Sequence, residues 1–212
     1  MKMNKREFLK SAAALSSLTL LPGCNWETSD QKRLRTAHIG VGNMGGEDLK
    51  AISSHEMVDV VALCDVDSNN LSAAAKLHPK AKLFSDYREL FKEMADGIDA
   101  VIVSTPDHTH APASMMAMDL DKAVYCQKPL THHVTEARAM NKLATDKKLV
   151  TQMGIQVHSF YDYKLATLLI QSGIIGKVST VRAWSPKNWG YDGPEPEGSD
   201  PIPGYLNWDL WL

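Results

Sequence analysis

Three stretches of the chain carry residue types whose order suits the handling of a dinucleotide. Gly40-Val41-Gly42-Asn43-Met44-Gly45 directly follows a short apolar run and opens a segment of helical character. In such a turn the first glycine permits the tight bend and the second lets backbone approach a pyrophosphate. The third lets helix and strand pack closely, with the phosphates over the helix N-terminus. Gly40, Gly42, Asn43, Met44 and Gly45 are therefore candidate cofactor contacts. Asp65 stands twenty residues beyond Gly45, at the end of the next apolar run, where a carboxylate can accept hydrogen bonds from the adenosine ribose hydroxyls. It would repel a 2'-phosphate and no arginine follows to offset it, so NAD is favoured over NADP. A purely structural glycine turn, with Asp65 as a surface cap, is the competing reading. The other stretches, Ser104-Thr105-Pro106-Asp107-His108-Thr109-His110 and Gln127-Lys128-Pro129, each follow a later apolar run. If those runs are strands of one open parallel sheet, both stretches fall on the rim along which ligands bind.

The segments between them supply such a sheet. Residues 36–41 are β-like and 46–54 can be helical, while 57–63 and 98–103 are near-continuous apolar runs, as expected of parallel strands buried on both faces. Residues 123–126 and 149–153 read as further strands. Helical patterns cover 69–77, a segment opened by Asp86 with Glu89 three residues on, 111–120, 135–148, and 160–172 closed by Gly173. This βαβα alternation predicts an α/β chain, a Rossmann-type doubly wound parallel sheet with helices on both faces. A net charge of -2 leaves no electrostatic footprint for nucleic acid, so partners are sought in local motifs.

Four motifs in order and at fitting intervals carry a resemblance: the glycine fingerprint, Thr105-Pro106 followed by His110, Lys128-Pro129, and Ile175-Gly176-Lys177-Val178. By them the chain, from about residue 36 to its end, resembles the glucose-fructose oxidoreductase, inositol dehydrogenase and rhizopine-catabolism family (Gfo/Idh/MocA). The resemblance implies that Lys128 lies beside the nicotinamide and hydrogen-bonds the substrate alcohol, helping its proton leave as hydride goes to the ring. A lysine can act so if burial and a nearby cation depress its pKa; the plain alternative is a solvated loop lysine. It also implies that Thr105, Pro106 and His110 flank the nicotinamide ribose, with Asp107 or His108 able to reach it. The family usually has Glu before the lysine. Gln127 departs from that: it can still bond a ribose, but it removes a charge. Gln156 and His158 fall where the family contacts cofactor or substrate, and no role is assigned to them.

Full-length members are expected to be homo-oligomers with a second domain, a large mostly antiparallel sheet that supplies the substrate pocket and usually an Asp and a His to partner the lysine. On this reading residues 36–157 form the NAD-binding domain. Residues 158–212 hold a crossover helix and the start of a truncated α+β second domain, with a strand at 178–184 and then a Pro-, Gly- and acid-rich stretch. The chain then reads as a fragment, or the product of an interrupted frame, that binds dinucleotide poorly or moderately and does not turn over. Trp184, Trp189, Trp208 and Trp211 would lack their usual cover.

The N-terminus reads as an export signal, residues 1–24. Lys2, Lys5 and Arg6 form a basic start, an apolar run covers 11–21, and Leu21-Pro22-Gly23-Cys24 resembles a bacterial lipobox whose cysteine is diacylated. An ordinary signal peptide with an incidental Cys24 is the alternative. The apolar run is shorter than the about 20 residues of a spanning helix. Asn4-Lys5-Arg6-Glu7-Phe8-Leu9-Lys10 also resembles a twin-arginine signal with lysine in place of its first arginine, which leaves the route open. Residues 25–35 are polar and read as a tether. The expected location is periplasmic or membrane-anchored, with membrane contact only through the lipid. Cys64 and Cys126 are expected to be small core residues, and no metal is expected: His132 and His133 point apart on an extended segment and read as solvated or capping.

Three functions fit these observations. The first is an exported NAD-dependent oxidoreductase acting on a sugar, polyol or glycan-derived alcohol. The second is an NAD-dependent glycosidase in which transient oxidation of a ring hydroxyl permits elimination of the aglycone, so that no NADH accumulates. The third is a non-catalytic, lipid-anchored NAD-binding remnant.

Overall fold

A computed structural model describes residues 32–186, 190–195 and 197–212. The segment read as an export signal, with Cys24, and Trp189 lie outside the described residues. The apolar runs become the interior of a single sheet of six parallel strands: β1 (Leu34–Ile39), β2 (Val58–Cys64), β3 (Lys82–Phe84), β4 (Ala100–Val103), β5 (Ala123–Gln127) and β6 (Thr151–Gly154). Their spatial order is β3-β2-β1-β4-β5-β6. The chain therefore starts near the middle, steps outward to β3, returns, and steps the other way. That reversal opens a crevice over the carboxyl ends of β1 and β4.

The crossovers are helices: α1 (Asn43–Ser53), α2 (Ser68–Leu77), α3 (Tyr87–Met94), α4 (Asp107–Asp119) and α5 (Val134–Lys147). A short 3-10 turn (Gln156–Ser159) leads from β6 to α6 (Tyr161–Gln171), and one helical turn, α7 (Trp208–Trp211), comes last. Successive strand residues serve opposite faces. Ala62 and Cys64 join the larger apolar cluster with Ile39, Val101 and Leu90, whereas Leu63 between them packs with Val41, Leu49 and Ala74 on the other side. Burial on both faces is why these strands show no polar alternation.

Three helix starts use local carboxylates. Asp67 accepts from the backbone N–H of Asn69 and Asn70 at α2, and Asp86 accepts from Arg88 N–H at α3. At α5, Glu136 reaches back to the N–H of His133 at 2.9 Å, which makes His133 the capping position.

The secondary structure departs from the sequence reading in three places. β1 begins at Leu34, two residues inside the expected tether, because Leu34 and Arg35 pair with Val58 and Asp59 and the Arg35 guanidinium donates to Asp99 at 2.8–2.9 Å. β3 is an additional edge strand of only three residues. The strand expected at 178–184 does not form: those residues are exposed and join no ladder, and β-branched composition without a partner strand does not make a sheet. Cys64 and Cys126 are buried and unpaired, and burial raises both thiols, Cys126 to about 11. Among the described residues no helix is long and apolar enough to cross a membrane.

Candidate functional site

Parallel register sets out the rim. Ile39 lies opposite Cys64 and Val103, Val103 opposite Cys126, and Gln127 opposite Gly154. The residues that follow these strand ends, Gly40, Asp65, Ser104, Thr105 and Lys128, therefore emerge side by side. Gly40 has φ +80, and a Cβ there would sit 2.7 Å from the backbone of Ser104. No other residue type lets β1 turn so close to the end of β4.

Over the crevice lies a cleft of about 460 Å³ walled by the glycine loop, Asp65 and Thr105-Pro106. Asp65 is anchored by backbone: one carboxylate oxygen accepts from Val41 N–H at 2.8 Å and the other from Asp67 N–H at 2.9 Å. Burial pushes its carboxyl above the usual range, and those backbone donors pull it partly back. The carboxylate keeps acceptor capacity for a further donor. The Thr105 hydroxyl is buried with no hydrogen-bond partner among the described residues. An unpaired hydroxyl, an acceptor carboxylate and a glycine cradle match what a dinucleotide presents as ribose hydroxyls and pyrophosphate, so the residues fit NAD.

The cleft gathers Gly40, Gly42, Asn43, Met44, Asp65, Thr105 and Pro106. Gly45 is buried beneath them against Gly40. His110 is only 1% exposed, and its ring lies between the carbonyl oxygens of Thr105 (2.7 Å) and Pro129 (2.6 Å), clamping one rim loop to the next from below. Lys128 is exposed at the end of β5 and its ammonium makes no ion pair with a described residue; the Lys128–Pro129 peptide is cis. Gln156 approaches the Met44 sulfur at 3.7 Å, while His158 stacks on Tyr163. Contrary to the expectation that they point apart, His132 and His133 turn their rings together at the surface, with Nδ1 of His132 3.2 Å from Nε2 of His133, as the chain bends into the start of α5.

Asp48 escaped the sequence reading. This carboxylate is 6% exposed, and accepts from Ser104 Oγ (2.7 Å) and from Gln127 Nε2 (2.9 Å), while Gln127 Oε1 accepts from Lys128 N–H (2.9 Å). One carboxylate thereby ties the helix of the glycine loop to the ends of β4 and β5. The available signal was position: three residues after Gly45, Asp48 falls on the same helix face, toward the sheet. The arrangement also accounts for Gln at 127, since its amide donates where a glutamate could not.

Replacing Gln127 with Glu is expected to cost about 1.5–3 kcal/mol at neutral pH, the value of a hydrogen bond to a charged group. The loss should shrink in acid, where the two carboxyls can share a proton. Chemical denaturation at neutral and mildly acid pH measures it; an equal loss at both would point to sterics instead.

Comparison with known proteins follows the same residues. Residues 34–155 match the family profile GFO_IDH_MocA, described as an oxidoreductase family with an NAD-binding Rossmann fold. A glycosyl hydrolase family 109 protein of Stenotrophomonas maltophilia is 30% identical over 193 residues, covering 85% of this chain and 42% of that protein. An inositol 2-dehydrogenase of Rubrobacter xylanophilus is 29% identical over 160 residues, 73% of this chain and 44% of the other. Among solved structures, myo-inositol 2-dehydrogenase from Lactobacillus plantarum superposes with a TM-score of 0.63 at 29% identity, over 69% of this chain and 43% of that one. The chain thus spans less than half the length of these relatives.

Proposed function

Because the chain belongs to the Gfo/Idh/MocA oxidoreductase family with its NAD-binding Rossmann fold, we propose that it holds NAD for the oxidation of an alcohol on a sugar, polyol or glycan-derived carbohydrate. The observation that carries this reading is the juxtaposition, on one sheet rim, of a glycine cradle, the Asp65 carboxylate and Lys128. Bound NAD supplies the acceptor for a hydride. Asp65 accepts from the ribose hydroxyls, the glycine loop admits the pyrophosphate, and Thr105 donates or accepts with its otherwise unpaired hydroxyl. Lys128 hydrogen-bonds the substrate hydroxyl and, in its neutral amine form, takes up the hydroxyl proton as the C–H hydride departs. Asp48, through Gln127 and the Lys128 N–H, positions the lysine's backbone. Substrate classes follow from the relatives named inositol 2-dehydrogenase.

The relatives named glycosyl hydrolase family 109 favour a second reading, glycoside cleavage by oxidation and elimination. Aglycone release without net NADH would select it.

Titration with NAD and NADP tests the first reading. NAD is expected to bind more tightly, and Asp65→Ala to weaken NAD by about 1.5–3 kcal/mol while narrowing the preference. Equal affinity for both cofactors in the unmutated protein would count against it. NADH formation by the unmutated chain would overturn the expectation that it does not turn over, and formation that survives Lys128→Ala would remove the lysine from the chemistry. We further propose export with lipidation at Cys24, supported by the basic start, apolar run and Leu-Pro-Gly-Cys sequence. Mass spectrometry of the exported protein should find a diacylglyceryl N-terminus, and an unmodified one beginning elsewhere would exclude it.

A further inference from the structure

The last ten residues of the chain do not trail away from the domain. They are held across the crevice at two points. On the β2 side, Ser68 N–H donates to Tyr205 O at 2.9 Å, Asn207 N–H donates to Val66 O at 2.9 Å, and Asp67 bridges Leu206 in antiparallel fashion. On the β4 side, the His108 ring sits edge-on to Trp211, with centroids 5.0 Å apart, and its Nε2 is 2.6 Å from Trp211 O. Between these anchors Asn207 caps α7 by accepting from Leu210 N–H, and the Trp208 and Trp211 rings stack at 4.9 Å and 8°. Tyr205, Leu206 and Trp211 thereby form a wall of the same cleft that Gly40, Asp65 and Thr105 line. Leu210 faces the adjoining recess beside Val66 and Tyr87.

Which half of a dinucleotide meets this wall follows from Asp65. With the adenosine ribose at that carboxylate, the space open to the attached base is the part of the cleft past the end of β2, lined by Val66 and Asp67; the Thr105-Pro106 loop, which the resemblance assigns to the nicotinamide ribose, borders that same space from the β4 side. That is where the strap crosses. An adenine is a flat π-surface with few obligatory hydrogen bonds, and aromatic side chains bind such surfaces by stacking and desolvation. Nothing in the glycine loop supplies an aromatic ring on that side.

Resting on the NAD-binding reading above, we propose that residues 203–212 are a strap that completes the adenosine half of the cofactor cleft, with Trp211 as the principal wall for the adenine ring and Tyr205 as a lesser one. Trp211 is thus a determinant of cofactor affinity contributed from outside the Rossmann crossovers.

Calorimetric titration of the full chain with NAD and with ADP-ribose, which lacks nicotinamide, tests this. Trp211→Ala should weaken both ligands about tenfold, equivalent to about 1.4 kcal/mol, Tyr205→Ala less, and Trp211→Phe should retain most of the affinity, which separates loss of the aromatic wall from loss of fold. If Asp65→Ala weakens NAD while Trp211→Ala leaves ADP-ribose binding unchanged or tighter, the strap proposal fails and the cofactor reading stands. Weakening confined to NAD would move Trp211 to the nicotinamide side and also overturn it. If the unmutated chain binds neither ligand, the cofactor reading fails and takes the strap with it.

Discussion

Gly45→Ala should be among the most damaging single-methyl additions in the protein, although alanine is the better helix former by about 1 kcal/mol. A Cβ at Gly45 would lie 2.1 Å from Gly40 O and 2.8 Å from Gly40 C. These are backbone atoms of the turn itself, so no rotamer change can relieve the contact. Either α1 moves off the sheet or the glycine loop opens, and overpacking of this kind costs about 1–3 kcal/mol or more. Because the displaced atoms form the cradle, NAD affinity should fall together with the urea midpoint. Gly46→Ala is the matched control, since its Cβ meets only Val41 O at 3.3 Å. Near-native stability and NAD binding in Gly45→Ala would show that the third glycine is not needed for close packing.

Acid should destabilise the protein through His38, a residue remote from the cleft in role but central in the sheet. Its side chain is fully buried on β1, with Nε2 3.2 Å from Thr36 Oγ1 and Nδ1 without a partner. Burial first, and the charge of His78 second, hold its pKa down at about 3 against an ordinary 6.5. Between those values the unfolded chain binds a proton that the folded chain refuses, so stability falls as pH drops below about 6.5, by about 1.4 kcal/mol per pH unit until the folded value is reached. Asp65, whose carboxyl is raised by burial, acts in the opposite sense. The difference between the parent and His38→Leu isolates the imidazole. Urea unfolding from pH 7 down to 5 should show the parent losing stability relative to His38→Leu, approaching that slope below about pH 6.5, and parallel curves would refute a neutral buried His38.

Most of the sheet was legible because strands buried on both faces write themselves as apolar runs. Residues 57–63 and 98–103 became β2 and β4 within two residues, and the glycine fingerprint fell where register requires it. β3 was illegible for the same physical reason: Lys82-Leu83-Phe84 is an edge strand of three residues with one buried side chain, too little to leave a pattern. Residues 178–184 erred the other way, since a strand is a pairing and composition does not reveal a missing partner. In the cleft, Gly40, Gly42, Asp65, Thr105 and Pro106, picked out by type and spacing, come together. Asp48 was not legible, because a buried carboxylate makes sense only once its donors, Ser104 and Gln127, are known to meet it. The strap was hidden likewise: Trp208 and Trp211 advertised an apolar need, and only the fold shows which surface meets it.

The Asp48 bridge also bears on the order in which the molecule assembles. Its donors lie 56 and 79 residues further along the chain, so a polypeptide leaving the ribosome exposes the glycine loop and its carboxylate long before anything can fasten them. Contacts of such sequence separation form late, after the loop-closure entropy has been met by local structure. Until β5 has emerged and Gln127 has taken its place, the loop has no fixed relation to Lys128. The cofactor cleft is therefore a late product of folding, and a nascent chain stalled before β5 would hold a folded glycine turn without a site.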